Sequence, residues 1–135
     1  MSYQHILYDV DARIATITLN RPERMNAWTA TMEREVRQAM DAAAAASGVR
    51  AIILTGAGRA FCAGLDLKEL GSGAGGGVLG GVNLADPVRA LGRFSGPIIC
   101  AVNGVAITGG FELALAGDVL LASADARFAD THARV

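Results

Sequence analysis

The stretch from Pro97 to Asp118, Pro-Ile-Ile-Cys-Ala-Val-Asn-Gly-Val-Ala-Ile-Thr-Gly-Gly-Phe-Glu-Leu-Ala-Leu-Ala-Gly-Asp, constrains this chain more than any other. It opens with an apolar run, Ile98 to Val102, bounded by Pro97 and by Asn103-Gly104, the pattern of a short buried strand and a turn. Thr108-Gly109-Gly110 then leads into Phe111 to Ala116, a run with good helix formers. Two glycines at the mouth of a helix let the backbone come close to a ligand. They also leave the first N–H groups of that helix unpaired at the positive end of its dipole, where a developing negative charge is stabilised. Glu112, one turn in, places an acid or base beside that anion site. The same pattern also describes a strand–turn–helix unit whose glycines serve packing alone and whose Glu112 is merely solvated.

A second stretch, Arg59 to Glu69 (Arg-Ala-Phe-Cys-Ala-Gly-Leu-Asp-Leu-Lys-Glu), precedes the first. Together, and in this order, the two resemble the signatures of the enoyl-CoA hydratase/isomerase (crotonase) superfamily. Two separate matches are far more specific than a lone glycine pattern.

The totals are compatible with that resemblance. At 135 residues the chain is long enough for one domain with a real core. Its 52% hydrophobic and 19% charged content is that of a folded globular chain. A net charge of −1 offers no basic excess to neutralise phosphates, so a nucleic-acid partner is not expected. A phosphorylated small ligand needs only a local Arg or Lys. The start, Met1 to Ile6, shows no basic region followed by an apolar run, so no signal peptide is expected, and no apolar segment reaches membrane-spanning length. Cys62 and Cys100 lie in apolar surroundings and read as buried thiols of a reducing compartment, giving a cytoplasmic expectation. With only His5 and His132 available, no metal site is expected.

Taken in order, His5 to Val10 and Arg13 to Leu19 flank Asp11-Ala12 and read as a hairpin, with Ala15, Ile17 and Leu19 on one face of the second strand. Pro22 bars continuation of that strand. Thr29 is an expected N-cap, followed by a helical stripe of Met32, Val36, Met40 and Ala43-Ala44. That helix should end near Ser47-Gly48, with Gly48 as a left-handed C-cap. Arg50 to Gly56 is a third strand. A helical segment near Leu84 to Phe94 leads into the strand Ile98 to Val102, and the helix from Gly110 leads into Val119 to Ala122. This alternation predicts an α/β architecture. The resemblance implies, more specifically, a spiral of repeated β-β-α turns, which periodicity alone does not separate from a doubly wound sheet. Gly71 to Gly81 is glycine-dense and reads as a surface loop; the resemblance implies, as an alternative, a flap over a substrate tail.

The resemblance also implies a chemistry. Adding water to an α,β-unsaturated acyl-CoA, or moving its double bond, passes through enolate character on the thioester oxygen, which two backbone N–H donors would stabilise. Matched residue by residue, those donors are the N–H groups of Leu65 and Gly109. Gly64 gives the first loop its freedom, and the Leu65 side chain would narrow the pocket. Arg24, within Arg21-Pro-Glu-Arg-Met-Asn-Ala27, is similar to the segment that borders the CoA phosphates, where Arg21 or Arg24 would supply a cation. Ala63, Asp66 and Leu67 resemble the part that borders the adenine end; Asp66 reads equally well as the N-cap of a short helix, Leu67 to Leu70.

Hydration in this family calls on two carboxylates. Glu112 matches the first. The second position, after the strand Ala126 to Ala129, falls on His132, a departure from the pattern. A histidine serves as acid or base near neutral pH. A lone Glu112 suits double-bond isomerisation, and Asp130 is a nearby carboxylate that would orient the imidazole or compete with it.

The resemblance spans residues 1–135, read as the N-terminal part of a single domain. The chain is about the first half of a family member, so the expectation is a fragment lacking the C-terminal helical part and exposing apolar surface. The expected function is that of an enoyl-CoA hydratase, with an isomerase or a non-catalytic acyl-CoA-binding subunit as alternatives. An acyl-CoA thioester is the expected partner, with coenzyme A arriving as part of the substrate and no other cofactor. The intact protein is expected to be a homotrimer or hexamer without nucleic-acid or membrane partners.

Overall fold

The computed structural model describes residues 2–72, 86–92 and 94–131. The chain opens with an antiparallel hairpin of β1 (Ile6–Asp11) and β2 (Ile14–Leu19), joined through Ala12 and Arg13, which both take positive φ. Positive φ at both loop positions matches the right-handed twist of the flanking strands. On β2 the buried residues are Ala15, Ile17 and Leu19, the face the alternation predicts.

After a 3-10 turn at Pro22–Arg24 comes α1 (Ala30–Ala45). The Thr29 hydroxyl accepts from the Met32 N–H at 3.0 Å, which confirms the N-cap. Helix α1 buries Met32, Val36, Ala39, Met40 and Ala43 in the core shared with Ile17, Leu19, Ile52 and Leu54. Its other end departs from expectation. The helix stops at Ala45, and Ala46, extended at φ −84, donates back to Ala42 O and Ala43 O. The chain has already turned there, so Gly48 keeps an ordinary φ and does not act as a left-handed cap.

Strand β3 (Ala51–Gly56) pairs parallel to β2, and β4 (Ala60–Cys62) follows it into a second sheet. Then come α2 (Leu67–Ser72), β5 (Ile98–Val102), β6 (Val105–Ile107), α3 (Gly109–Leu115), β7 (Val119–Ala122) and β8 (Arg127–Ala129). Among the described residues one sheet has the order β1-β2-β3-β5-β7 and the other the order β4-β6-β8. Each circuit therefore lays one strand in the first sheet, one in the second, and then a helix: β3-β4-α2, β5-β6-α3, β7-β8. This is the expected spiral of β-β-α turns. The sequence reading had no place for β4 and β6 as strands. They are three residues long and mostly Ala, Val and Cys, too short to show a period of two.

Two further expectations shift. The helical segment near Leu84 to Phe94 is, in its described part, a single 3-10 turn at Arg89–Leu91. The Asp86 side chain accepts from the Val88 N–H around Pro87, a turn that starts the segment too late for a longer helix. The glycine-dense stretch begins inside α2, at Gly71 and Ser72, and residues 73–81 lie outside the described residues. The expected apolar exposure is found on β7 and β8, where Val119, Leu120, Leu121 and Phe128 all reach solvent, and at Leu115.

Two asparagines hold the circuits in register. Asn26, fully buried, accepts from the Arg21 N–H and donates from Nδ2 to Ala57 O and Ala60 O. Asn103 accepts from the Gly56 N–H and donates to Gly58 O and the same Ala60 O. Replacing Asn26 with Ala orphans the Arg21 N–H and the Ala57 carbonyl and leaves Ala60 O with Asn103 alone, and should lower stability by about 2–4 kcal/mol. Urea unfolding of the intact protein reads this directly; a loss under about 1 kcal/mol would mean that water replaces the amide.

Burial pushes the Cys62 thiol up to about 12 and the Cys100 thiol to about 11, from an ordinary 9.0. Both are neutral when folded, so their contribution to stability is complete below pH 9.0 and is lost as the pH rises above it. Both thiols should stay silent to an alkylating reagent at neutral pH and react fully in denaturant. Labelling of native protein followed by mass spectrometry checks this.

Candidate functional site

The two glycine-bearing turns singled out by sequence meet in space. Gly64, at φ +96, follows β4 and leads into Leu65. A Cβ built on Gly64 would sit 2.9 Å from Ile107 O and 3.7 Å from the Gly109 nitrogen. A Cβ on Gly109 would lie 3.9 Å from the Leu65 nitrogen. The backbones that carry the Leu65 and Gly109 N–H groups are therefore in contact.

Trp28 orients the first donor. It forms a parallel bridge with Leu65, in which the Trp28 N–H donates to Gly64 O at 2.7 Å and the Asp66 N–H donates to Trp28 O at 2.9 Å. In such a bridge the bonds run through the neighbours of the bridged residue, so the Leu65 N–H points away from Trp28. The second donor is the first residue of α3, where an N–H has no intrahelical acceptor. Among the described residues neither N–H finds an acceptor.

The glycines at this helix mouth divide their tasks differently from the sequence reading. Gly109 has room for a side chain, with nothing nearer than 3.7 Å to a built Cβ. Gly110 does not: a Cβ there would collide with the Cys62 carbonyl. Its lack of a side chain lets α3 pack on β4, and does not clear space for a ligand. Thr108 just before them holds φ +51 and ψ −105, a conformation costly for a branched residue. It is held there by Ala129 O, which accepts from its N–H, and by a 2.6 Å contact between its hydroxyl and that of Thr131.

Glu112 is exposed in the first turn of α3, and its N–H donates to Thr108 O. Phe111 and Phe128 pack with ring centroids 5.3 Å apart and tie α3 to β8. Asp130 is exposed at the end of β8, and His132, the second expected acid or base, lies outside the described residues.

Of the residues expected at the CoA end, Ala63 and Asp66 are each tied to the Arg21-to-Met25 segment. The Ala63 N–H donates to Met25 O, which places Arg24 beside Ala63. Arg24 is exposed and has no ion pair among the described residues, and Leu67 is 78% exposed. The structure separates the two arginines that sequence left equivalent. Arg21 Nη1 donates to Ala27 O at 2.8 Å and to Asp66 Oδ2 at 3.1 Å, so its charge is already committed. Asp66 is the N-cap of α2, with Oδ1 accepting from the N–H groups of Lys68 and Glu69. Burial alone would raise its carboxyl, but the Glu69 N–H, the Arg21 guanidinium and the Lys68 N–H together hold it below the usual 3.8. The cap is thus present above that value and is lost as the pH falls through the lowered one.

Sequence reasoning missed the straps behind this site. Glu69 accepts from the Ala30 N–H at the start of α1, and Arg21 reaches Asp66 across 45 positions. No local pattern signals such pairs. Among the described residues no cluster of His, Cys, Asp and Glu could hold a metal ion. An alanine at Gly64 should destabilise the protein by about 1–3 kcal/mol through its positive φ and the Ile107 carbonyl. A thermal melt of the intact protein checks this, and an unchanged Tm would show that the turn can relax.

Residues 9–135 match the enoyl-CoA hydratase/isomerase family. The chain is 46% identical over 121 residues to an Arabidopsis thaliana protein named "Probable enoyl-CoA hydratase 1, peroxisomal", covering 90% of this chain and 45% of that one. It is 38% identical over 130 residues to the 1,2-epoxyphenylacetyl-CoA isomerase of Escherichia coli K12, covering 93% and 50%. Among solved structures, the enoyl-CoA hydratase of Mycobacterium tuberculosis H37Rv superposes with a TM-score of 0.81 at 45% identity, over 97% of this chain and 53% of that one. The chain thus spans about half the length of the curated relatives it matches.

Proposed function

This chain belongs to the enoyl-CoA hydratase/isomerase family, and from that premise we propose that the intact protein is an enoyl-CoA hydratase. The observation that carries the reading is the contact between the Gly64-Leu65 and Gly109 turns, which sets two outward N–H groups side by side. Such a pair suits the oxygen of a thioester whose carbonyl gains negative charge, and loss of one such donor typically costs about 3 kcal/mol of barrier.

In this mechanism Glu112 accepts a proton from water as the water oxygen bonds to C3 of a 2-enoyl-CoA. The π pair of the C2–C3 bond shifts onto the thioester oxygen, held by Leu65 N–H and Gly109 N–H. C2 then takes a proton from His132, and the product is a 3-hydroxyacyl-CoA. Arg24 meets the CoA phosphates, while Ala63, Asp66 and Leu67 border the adenine end. The steps are proton transfers and charge stabilisation, so coenzyme A enters only as part of the substrate.

A net charge of −1 supports a small-molecule partner in place of nucleic acid, and among the described residues no helix is long and apolar enough to cross a membrane. The buried free thiols support a reducing, cytoplasmic setting. The intact protein is read as a homotrimer or hexamer, following the family expectation. A second reading, an enoyl-CoA isomerase, is favoured by one observation: His132 stands where a second carboxylate is expected. A single Glu112 can shuttle one proton between C2 and C4 of the acyl chain.

The intact protein should consume crotonyl-CoA, seen as loss of the conjugated thioester absorbance with 3-hydroxybutyryl-CoA as product. Glu112→Gln should lower kcat by at least about 10²-fold. Binding of acyl-CoA without turnover would sink the hydratase reading, and 3-enoyl-CoA converted to 2-enoyl-CoA would replace it with the isomerase.

A further inference from the structure

We propose that Arg21 is a positioning residue for the Leu65 N–H, acting through Asp66; the inference rests on the reading of Leu65 as an oxyanion donor. The direction of that N–H is set by the peptide plane between Gly64 and Leu65. Gly64, at φ +96, brings no steric restriction of its own to this plane. The plane is fixed instead from the two sides of the Trp28 bridge, at Gly64 O and at the Asp66 N–H.

The Arg21 guanidinium spans both partners of that bridge. One nitrogen, Nη1, donates to Ala27 O, the carbonyl preceding Trp28, and to the carboxylate of Asp66, the residue following Leu65. Asp66 passes the restraint onward, since Oδ1 caps α2 while Oδ2 takes the arginine. Arg21 is itself anchored: its N–H donates to buried Asn26 and its carbonyl accepts from the N–H groups of Arg24 and Asn26. The paired side chains are only 14% and 13% exposed, so the bond is less screened than a surface ion pair. Glu69, accepting from Ala30 N–H, adds a second strap between the same two segments. A donor aimed to within a fraction of an ångström needs such support from behind.

The rival role for Arg21, a cation for the CoA phosphates, predicts the opposite kinetic signature. The test measures crotonyl-CoA kinetics in the intact protein for Arg21→Met, Arg21→Lys, Asp66→Asn and the Arg21→Met/Asp66→Asn double variant. Hydrogen exchange at the Asp66 amide is followed in Arg21→Met without substrate. The Ile52 amide, which donates to Pro97 O in the first sheet, is the control.

Arg21→Met should lower kcat about tenfold or more with KM within about twofold, because an interaction felt mainly in the transition state is lost. Asp66→Asn should lower kcat alike, the kcat of the double variant should be no worse than that of either single one, and Arg21→Lys should recover part of the loss. Exchange at the Asp66 amide should rise by at least about tenfold with Ile52 unchanged. A raised KM at constant kcat, additive losses, or equal acceleration at Asp66 and Ile52 would each overturn the proposal. If the wild type turns over no crotonyl-CoA, the hydratase reading fails. Exchange at Asp66 then still decides whether Arg21 holds the turn.

Discussion

The approach of the Cys62-to-Leu65 turn to the Ile107-to-Gly110 turn is the contact on which the rest of the structure depends. It exists because Gly110 presents no Cβ to the Cys62 carbonyl and Gly64 presents none to Ile107 O. With those two side chains absent, β4 and β6 pair in parallel and α3 lies directly on β4. A methyl group at Gly110 would push α3 off β4, and one at Gly64 would push its turn away from Ile107 O. The same closeness places two main-chain donors next to each other, so packing and chemistry share one cause.

Around that contact the fold uses polar groups as fasteners and apolar groups as filling. The core joins α1 to the first sheet through residues such as Met32, Met40, Ile17 and Leu54, which supply most of the favourable free energy but little direction. Direction comes from buried or half-buried amides and carboxylates. Asn26 and Asn103 converge on Ala60 O, and Glu35 on α1 accepts from the N–H groups of Gln4 and His5 to fix the start of β1. Glu33 does the same for Asp86 ahead of the Arg89–Leu91 turn. Desolvation raises the Glu33 carboxyl, an effect partly offset by the Asp86 N–H and by Arg37. Each fastener joins segments that are far apart in sequence.

That distinction explains what could be read from the amino acids alone. The hairpin, the Thr29 cap, the stripe on α1 and the strands at Ile52 and Ile98 were legible because each is written in adjacent residues. The two glycine-bearing stretches of the candidate site were legible because they match a family pattern in order. The second sheet was not, since β4 and β6 carry three residues each and no periodicity. Nor was the fate of Arg21 and Asp66. Arg21 looked like a ligand contact and Asp66 like a ligand contact or an N-cap, and although the cap is there, their pairing is created only when the chain closes on itself. The end of α1 was misplaced because Gly48 is a sound C-cap residue, yet Ala46 had already turned the chain.

The strand order carries a meaning for assembly. In the first sheet β3 joins β2, β5 joins β3 and β7 joins β5; in the second, β6 joins β4 and β8 joins β6. No described strand in the spiral waits for a neighbour made after it except at its open side, so the spiral can be laid down in the order of synthesis, circuit upon circuit. The newest strand is then always the bare one. Among the described strands of the first sheet that strand is β7, Val-Leu-Leu-Ala, with all four residues exposed and no charge or proline to discourage an unwanted neighbour. An architecture that grows at one edge has a moving adhesive front, an apolar edge that each new circuit covers and the next one renews.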